Sequence, residues 1–144
     1  MARFVLIRRT PLPPVECWER LTDWPRHGDR VPLTRVSAVR GDGREVGDVV
    51  LARTGLGPLG FDDPMELGDM VAPGPGRDGR CLLLKRGRPV RGWAELRVRA
   101  VGGGSAAVWT EELTVTSLPR LLDPVLAGAG RLAFGRVLDD LLGS

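Results

Sequence analysis

"GWAELRVRAVGGGSAAVWTEELTV", Gly92–Val115, decides the fold. Two β-rich runs flank a glycine-and-serine turn, the pattern of a hairpin. In the first run Ala94, Leu96, Val98 and Ala100 share one side, while Glu95, Arg97 and Arg99 share the other with Trp93. One side is therefore covered and the other wet, as in an antiparallel sheet with a single face on the core. In the second run Ala107, Trp109, Leu113 and Val115 align, and Glu111 stands among them. An acid in an apolar row needs a cavity, an inward cation or water at the sheet rim, because burying an unpaired charge is costly. A bulge in this run would turn Glu112 inward instead.

Downstream of the hairpin the period changes from 2 to about 3.6. Leu118, Leu121, Leu122, Val125, Leu126, Ala129, Leu132, Ala133, Val137, Leu138, Leu141 and Leu142 form the apolar stripe of a long C-terminal helix. Pro119 is tolerated near its start, and Pro124 suits its first turn. Gly128, Gly130 and Gly135 each cost the helix about 1 kcal/mol relative to alanine. They mark either a close approach by another element or plain backbone flexibility.

Upstream, "RFVLIRRT" (3–10) is a short strand punctuated by "PLPP". "VECWERLTDW" (15–24) is helical, with Val15, Trp18 and Leu21 in phase and Cys17 on the same broad side. Pro25 ends it, and a short second helix or turn through "RHGDR" follows. Strands at "PLTRVSAVR", "VGDVVLART", "FDDPMELGDMV" and "RCLLLKR" come next, the third kinked or bulged near Pro64 and Gly68. "GDGRE", "GLGPLG" and "APGPGRDG" are the turns between them, and the first two double as candidate cavity lids. The expected fold class is α+β: a curved antiparallel sheet of about seven strands wrapped around a long C-terminal helix, with two short helices after the first strand.

The 144 residues suffice for one domain with a real core, 1–144, and show no internal repeat. No run is apolar for the eighteen or so residues a bilayer span requires, and Phe4–Ile7 is too short for a signal peptide. A cytoplasmic protein without membrane insertion, monomeric or homodimeric, is expected. Cys17 and Cys81 are read as reduced and at least partly buried. The net charge of +3 is spread over arginines interspersed with acids and lacks interleaved aromatics, so nucleic acid is not an expected partner.

The order of elements resembles the START-like superfamily, the polyketide cyclase/dehydratase and lipid-transport group with the Bet v 1-like helix-grip fold. The likeness covers nearly the whole chain. It rests on that order and on two structural patterns, "LPPVECWERLTDWPRHGDRVP" and the hairpin leading into the long helix. In the first pattern Pro13 or Pro14, Trp18, Leu21, Asp23 and Trp24 carry the match. The resemblance implies a hydrophobic cavity between sheet and helix that takes a lipid or polyketide-like molecule and needs no cofactor. The chain has no tyrosine, which sets it apart from members that use one.

On this view Trp24, Leu96, Val98, Trp109, Glu111, Leu113, Val125, Ala129 and Ala133 line the cavity. Glu111 is the candidate for proton transfer, since burial would raise its pKa. His27 has neither a nucleophile nor a metal set beside it and is expected to be structural or on the surface. Asp62, Asp63 and Glu66 read as a strand rim rather than a cation site, and Arg35 and Arg53 can face either way. Three readings follow: a small-molecule binder, a cyclase or dehydratase-type enzyme, and an interaction protein with a collapsed cavity.

Overall fold

The computed structural model describes residues 1–56 and 58–143; Gly57, in the "GLGPLG" turn, lies outside the described residues. The chain runs β1 (Ala2–Thr10), α1 (Pro14–Leu21), a 3-10 turn (Trp24–Gly28), β2 (Thr34–Arg40), β3 (Val49–Leu56), β4 (Leu59–Val71), β5 (Gly79–Lys85), β6 (Val90–Val101) and β7 (Gly104–Val115). A short 3-10 turn (Arg120–Leu122) then leads into α2 (Asp123–Leu141). The strands form one antiparallel sheet in the order β1-β7-β6-β5-β4-β3-β2. Successive strands are neighbours joined by hairpins, except that β1 closes against β7. Among the described residues no helix is long and apolar enough to cross a bilayer.

The hairpin sets the inner face. Leu96 lies opposite Trp109, Ala94 opposite Glu111 and Val98 opposite Ala107, so these residues project to one side of the sheet. All six are buried. Ala100, placed in the same row by alternation, is exposed near the turn, beyond the part of the sheet that α1 and α2 cover. β4 and β5 change register between Leu67 and Asp69, which puts the bulge at Gly68.

α1 begins on Pro14 and buries Cys17, Trp18 and Leu21. Val15 is exposed, because at 100° per residue it lies well off the face those three define. Both cysteines are free and fully buried. Burial pushes the Cys17 thiol up to about 11 and the Cys81 thiol up to about 12, so neither is a nucleophile.

α2 is the main departure from the expected packing. Its C-terminal half buries Val137, Leu138 and Leu141 in the core. Its N-terminal half does not: Val125 is 68% exposed and Leu132 faces outward, and in the segment leading into the helix Leu118, Leu121 and Leu122 are exposed as well. Periodicity overstated the buried stripe because apolar residues occupy nearly the whole circumference of this helix.

The helix glycines divide by what they meet. A Cβ on Gly130 would lie 2.6 Å from Cε1 of Phe4, so this glycine permits a close approach of helix to β1. A Cβ on Gly128 would meet nothing within 4 Å. Gly128→Ala is therefore expected to raise unfolding stability by about 1 kcal/mol. Gly130→Ala is expected to lower it by about 1–3 kcal/mol, because the Phe4 ring must move. Urea unfolding of the two variants beside the parent checks both signs.

Candidate functional site

Between the N-terminal half of α2 and the inner face of the sheet lies a partly open cavity of about 230 Å³. Most of its wall is apolar: Val36, Val50, Ala52, Met65, Leu83 and Leu126 are representative. An open cleft beside Gly28–Arg35 is larger, at about 750 Å³, and shares Val31 and Thr34 with the cavity. The interior space is the better binding site, because a small molecule there is enclosed by apolar walls rather than resting on a surface.

One side of the cavity is a row of aromatic rings. Trp24, His27, Trp109 and Phe134 follow one another with centroids 5.1, 5.6 and 4.6 Å apart. Phe4 continues the row behind Phe134. The 3-10 turn supplies the first two rings: α1 ends at Leu21, before the expected stop at Pro25, and Pro25 instead lies in the first positions of the turn that folds inward. Trp24 is anchored by its Nε1, which donates to the Gly43 carbonyl at 2.8 Å. That carbonyl belongs to the "GDGRE" turn, whose amides at Gly43, Arg44 and Glu45 are taken up by Asp48.

His27 is 6% exposed, so the expectation of a surface position is corrected. Its Nε2 lies 2.6 Å from the Leu21 carbonyl. A carbonyl only accepts, so Nε2 carries the proton and donates. Burial pushes the imidazole down to about 4, against the opposing pull of that hydrogen bond and of Asp23. The ring is neutral and structural.

The polar groups gather on the strands. Lys85 on β5 brings its ammonium inward, with a side chain only 3% exposed, 2.6 Å from Oδ2 of Asp63 on β4. It lies 3.8 Å from Oε2 of Glu111 on β7. The other Glu111 oxygen, Oε1, accepts from Trp109 Nε1 at 3.2 Å. Asp63 Oδ1 is buried and has no hydrogen-bond partner among the described residues. Burial raises the pKa of Asp63 and Glu111 more than Lys85 lowers it. Burial opposes the Lys85 charge, yet Glu111 and Asp63 together hold its pKa above the ordinary value. Two acids thus share one base in a low-dielectric wall.

No protein-family model matches the chain, and no curated protein sequence matches it. Solved structures do match along its whole length. An aromatase/cyclase from Streptomyces sp. R1128 superposes with a TM-score of 0.67 at 15% identity, over 98% of this chain and 91% of that one. A START superfamily protein from Mycobacterium smegmatis gives 0.64 at 11% identity, over 99% and 98%. The chain has the helix-grip fold. An AHSA1-like protein from Aeromonas hydrophila shares it, with a TM-score of 0.65 at 15% identity over 98% and 92%.

Within this helix-grip fold the expected site residues separate. Trp24, Trp109, Glu111 and Leu113 are brought together on the cavity wall. Leu96 and Val98 are buried but lie away from it, toward α1: Val98 pairs with Gly79, whose missing side chain leaves room for Trp18. Val125 and Ala129 are exposed, and Ala133 is half-buried off the wall. Leu126, Gly130 and Phe134 face the cavity in their place. The helix is rotated by one residue, about 100°, from the expected phase.

Lys85 and Asp63 were not among the expected site residues, although alternation carries both. Cys81, Leu83 and Lys85 share a face of β5, and Asp63 shares one with Met65 and Leu67 on β4. The acids read as a rim part company: Asp62 pairs with Arg53 outside, Glu66 with Arg86, and Asp63 turns inward.

Two outcomes follow. The His27 ring has a lower pKa folded than unfolded, so its contribution is complete above pH 6.5 and is lost as pH falls toward about 4. That loss amounts to about 3 kcal/mol; comparing unfolding of the parent and His27→Gln across this window should show the parent falling more steeply. Lys85→Met leaves two buried carboxyls without a cation and is expected to cost about 3–5 kcal/mol near neutral pH. The deficit should shrink as pH falls and those carboxyls take up protons, which denaturant titrations at several pH values would show.

Proposed function

We propose that this chain binds a small, mainly apolar molecule of one or two rings inside the cavity, with its polar end at the Lys85–Asp63–Glu111 cluster. The observation that carries this reading is the division of the wall: apolar and aromatic nearly throughout, with the strand-borne charged groups gathered at one place. Such a wall gives affinity through burial and orientation through a single anchor. Size narrows the class. An engineered cavity of about 150 Å³ takes benzene, and drug-sized sites begin near 300 Å³. At about 230 Å³ this cavity lies between them. A reading as an interaction protein with a collapsed cavity has no support in this geometry.

An enzymatic reading, of the cyclase or dehydratase type, is favoured by one feature. Glu111 is a buried carboxyl with a raised pKa beside a lysine, the equipment of proton transfer. Against it, Glu111 Oε1 is already held by Trp109 and Oε2 faces Lys85. Binding is therefore the stronger reading, and turnover of an enolisable ligand abolished by Glu111→Gln would reverse that order.

Native mass spectrometry of the purified chain, followed by titration with naphthalene read through tryptophan fluorescence, tests the proposal. Saturable binding at one site per chain is expected, because Trp24 and Trp109 line the cavity. Ala52→Phe, which fills the space from β3, should lose at least about tenfold in affinity with the fold retained by circular dichroism. Absence of both a co-purifying molecule and naphthalene binding would defeat the reading.

A further inference from the structure

The cluster carries more information than an anchor's position, because its charges do not balance. Asp63 and Glu111 supply two acids, and Lys85 is the only base within salt-bridge distance of them among the described residues. The remaining titratable group on the cavity wall, His27, is neutral and spends its proton on the Leu21 carbonyl. With every carboxyl ionised, the wall would hold one uncompensated negative charge beside apolar surface, an arrangement that low dielectric penalises heavily. A bound proton or an incoming cation must neutralise it.

The hydrogen bonds point the same way. Lys85 donates to Asp63 at 2.6 Å, and Trp109 donates to Glu111 at 3.2 Å. Asp63 Oδ1 receives nothing from the described residues, although the residue is 8% exposed and lies on the cavity wall. With both carboxyls ionised, acceptors on the wall outnumber its donors. An occupant presenting a carbonyl or a carboxylate would meet these acceptors and would have to compete with Asp63 and Glu111 for the Lys85 ammonium. The three arginines of the adjoining cleft do not reverse this balance: Arg30 is paired with Asp140 and Arg53 with Asp62, and Arg35 is exposed on the face of β2 opposite the cavity-lining Thr34 and Val36.

Resting on the binding function proposed above, we infer that the cavity's occupant is an apolar amine, taken as its ammonium ion, which donates to Asp63 and supplies the cation that the Asp63–Lys85–Glu111 cluster lacks. Binding exchanges one cation for another. The ammonium enters, and the carboxyl that held a proton in the empty cavity releases it.

The test uses three shape-matched probes on the intact chain: 1-naphthylmethylamine, 1-naphthalenemethanol and 1-naphthoate, by isothermal titration calorimetry near neutral pH. The amine is expected to bind about tenfold tighter than the alcohol, since a charge-assisted hydrogen bond replaces a neutral one, and the carboxylate weakest of the three. Repeating the titrations in buffers of different ionisation heat should show about one proton released with the amine and none with the alcohol. Asp63→Asn should bring amine and alcohol to similar affinity. Should that variant not fold, the wild-type order and proton count decide alone. Equal affinity of amine and alcohol, or a preference for the carboxylate, would overturn this inference while leaving the binding function standing. Failure of all three probes and of naphthalene would overturn both.

Discussion

One helix cannot fill the concave face of a seven-stranded sheet, and the rest of this molecule follows from where that shortfall is placed. α2 spans nineteen residues, and its C-terminal half packs tightly through Val137, Leu138 and Leu141. α1 covers the same end of the sheet with Cys17, Trp18 and Leu21. The unfilled volume is pushed to the other end, under the N-terminal half of α2. The residues of α2 that face the cavity there are Leu126, Gly130 and Phe134. A void of this size lined by apolar groups forfeits dispersion contacts that a filled core would have, so it is a standing cost unless something occupies it. The exposed Val125 and Leu132 belong to the same geometry: this part of the helix touches the sheet at β1, through Gly130 and Phe4, and stands off the strands beyond.

The charged cluster depends on that void as well. A lysine ammonium with a 3% exposed side chain is sustained only by its two carboxylates, which come from strands on either side of it in the sheet. In a filled core the cluster would be a burden that hydrophobic replacement could relieve. On a cavity wall it has a different standing, because an occupant of the cavity could complete its hydrogen bonds. The orphaned oxygen of Asp63 is the visible sign that the protein alone does not.

Much of this was legible in the sequence, and the failures have definite causes. Alternation across Gly92–Val115 put Trp109, Glu111 and Leu113 on the inner face, where they lie, because a pleated strand admits only two faces. The same rule applied to "RCLLLKR" and "FDDPMELGDMV" would have turned Lys85 and Asp63 inward. In the first the apolar run Cys81–Leu84 blurs the alternation, in the second acids fall on both faces, and a buried lysine runs against the usual habit of that side chain. The helix failed differently. Val125, Ala129 and Ala133 recur every four residues, and so do Leu126, Gly130 and Phe134. Both sets are small or apolar, so periodicity alone could not choose between phases a single residue apart. His27 was misplaced because a break after a helix usually leads to the surface, whereas here Pro25 starts a 3-10 turn that folds beneath β2.

Trp109 ties the two halves of the site together. Its ring stands in the aromatic row between His27 and Phe134, and its Nε1 holds Glu111 in the charged cluster. A planar occupant stacked along the row would therefore run its long axis from the helix side toward the strands that carry Lys85 and Asp63. Orientation then comes from two unlike forces at opposite ends of the molecule. Ring contact is broad and weakly directional, worth about 0.5–1.5 kcal/mol per aromatic pair beyond burial. The donor contact is narrow and strongly directional. The apolar part of a ligand can vary in such a site at modest cost, while its polar end cannot. Under the proposed binding function, selectivity would lie in the few atoms around Asp63, and the larger apolar wall would supply the affinity that brings a ligand to them.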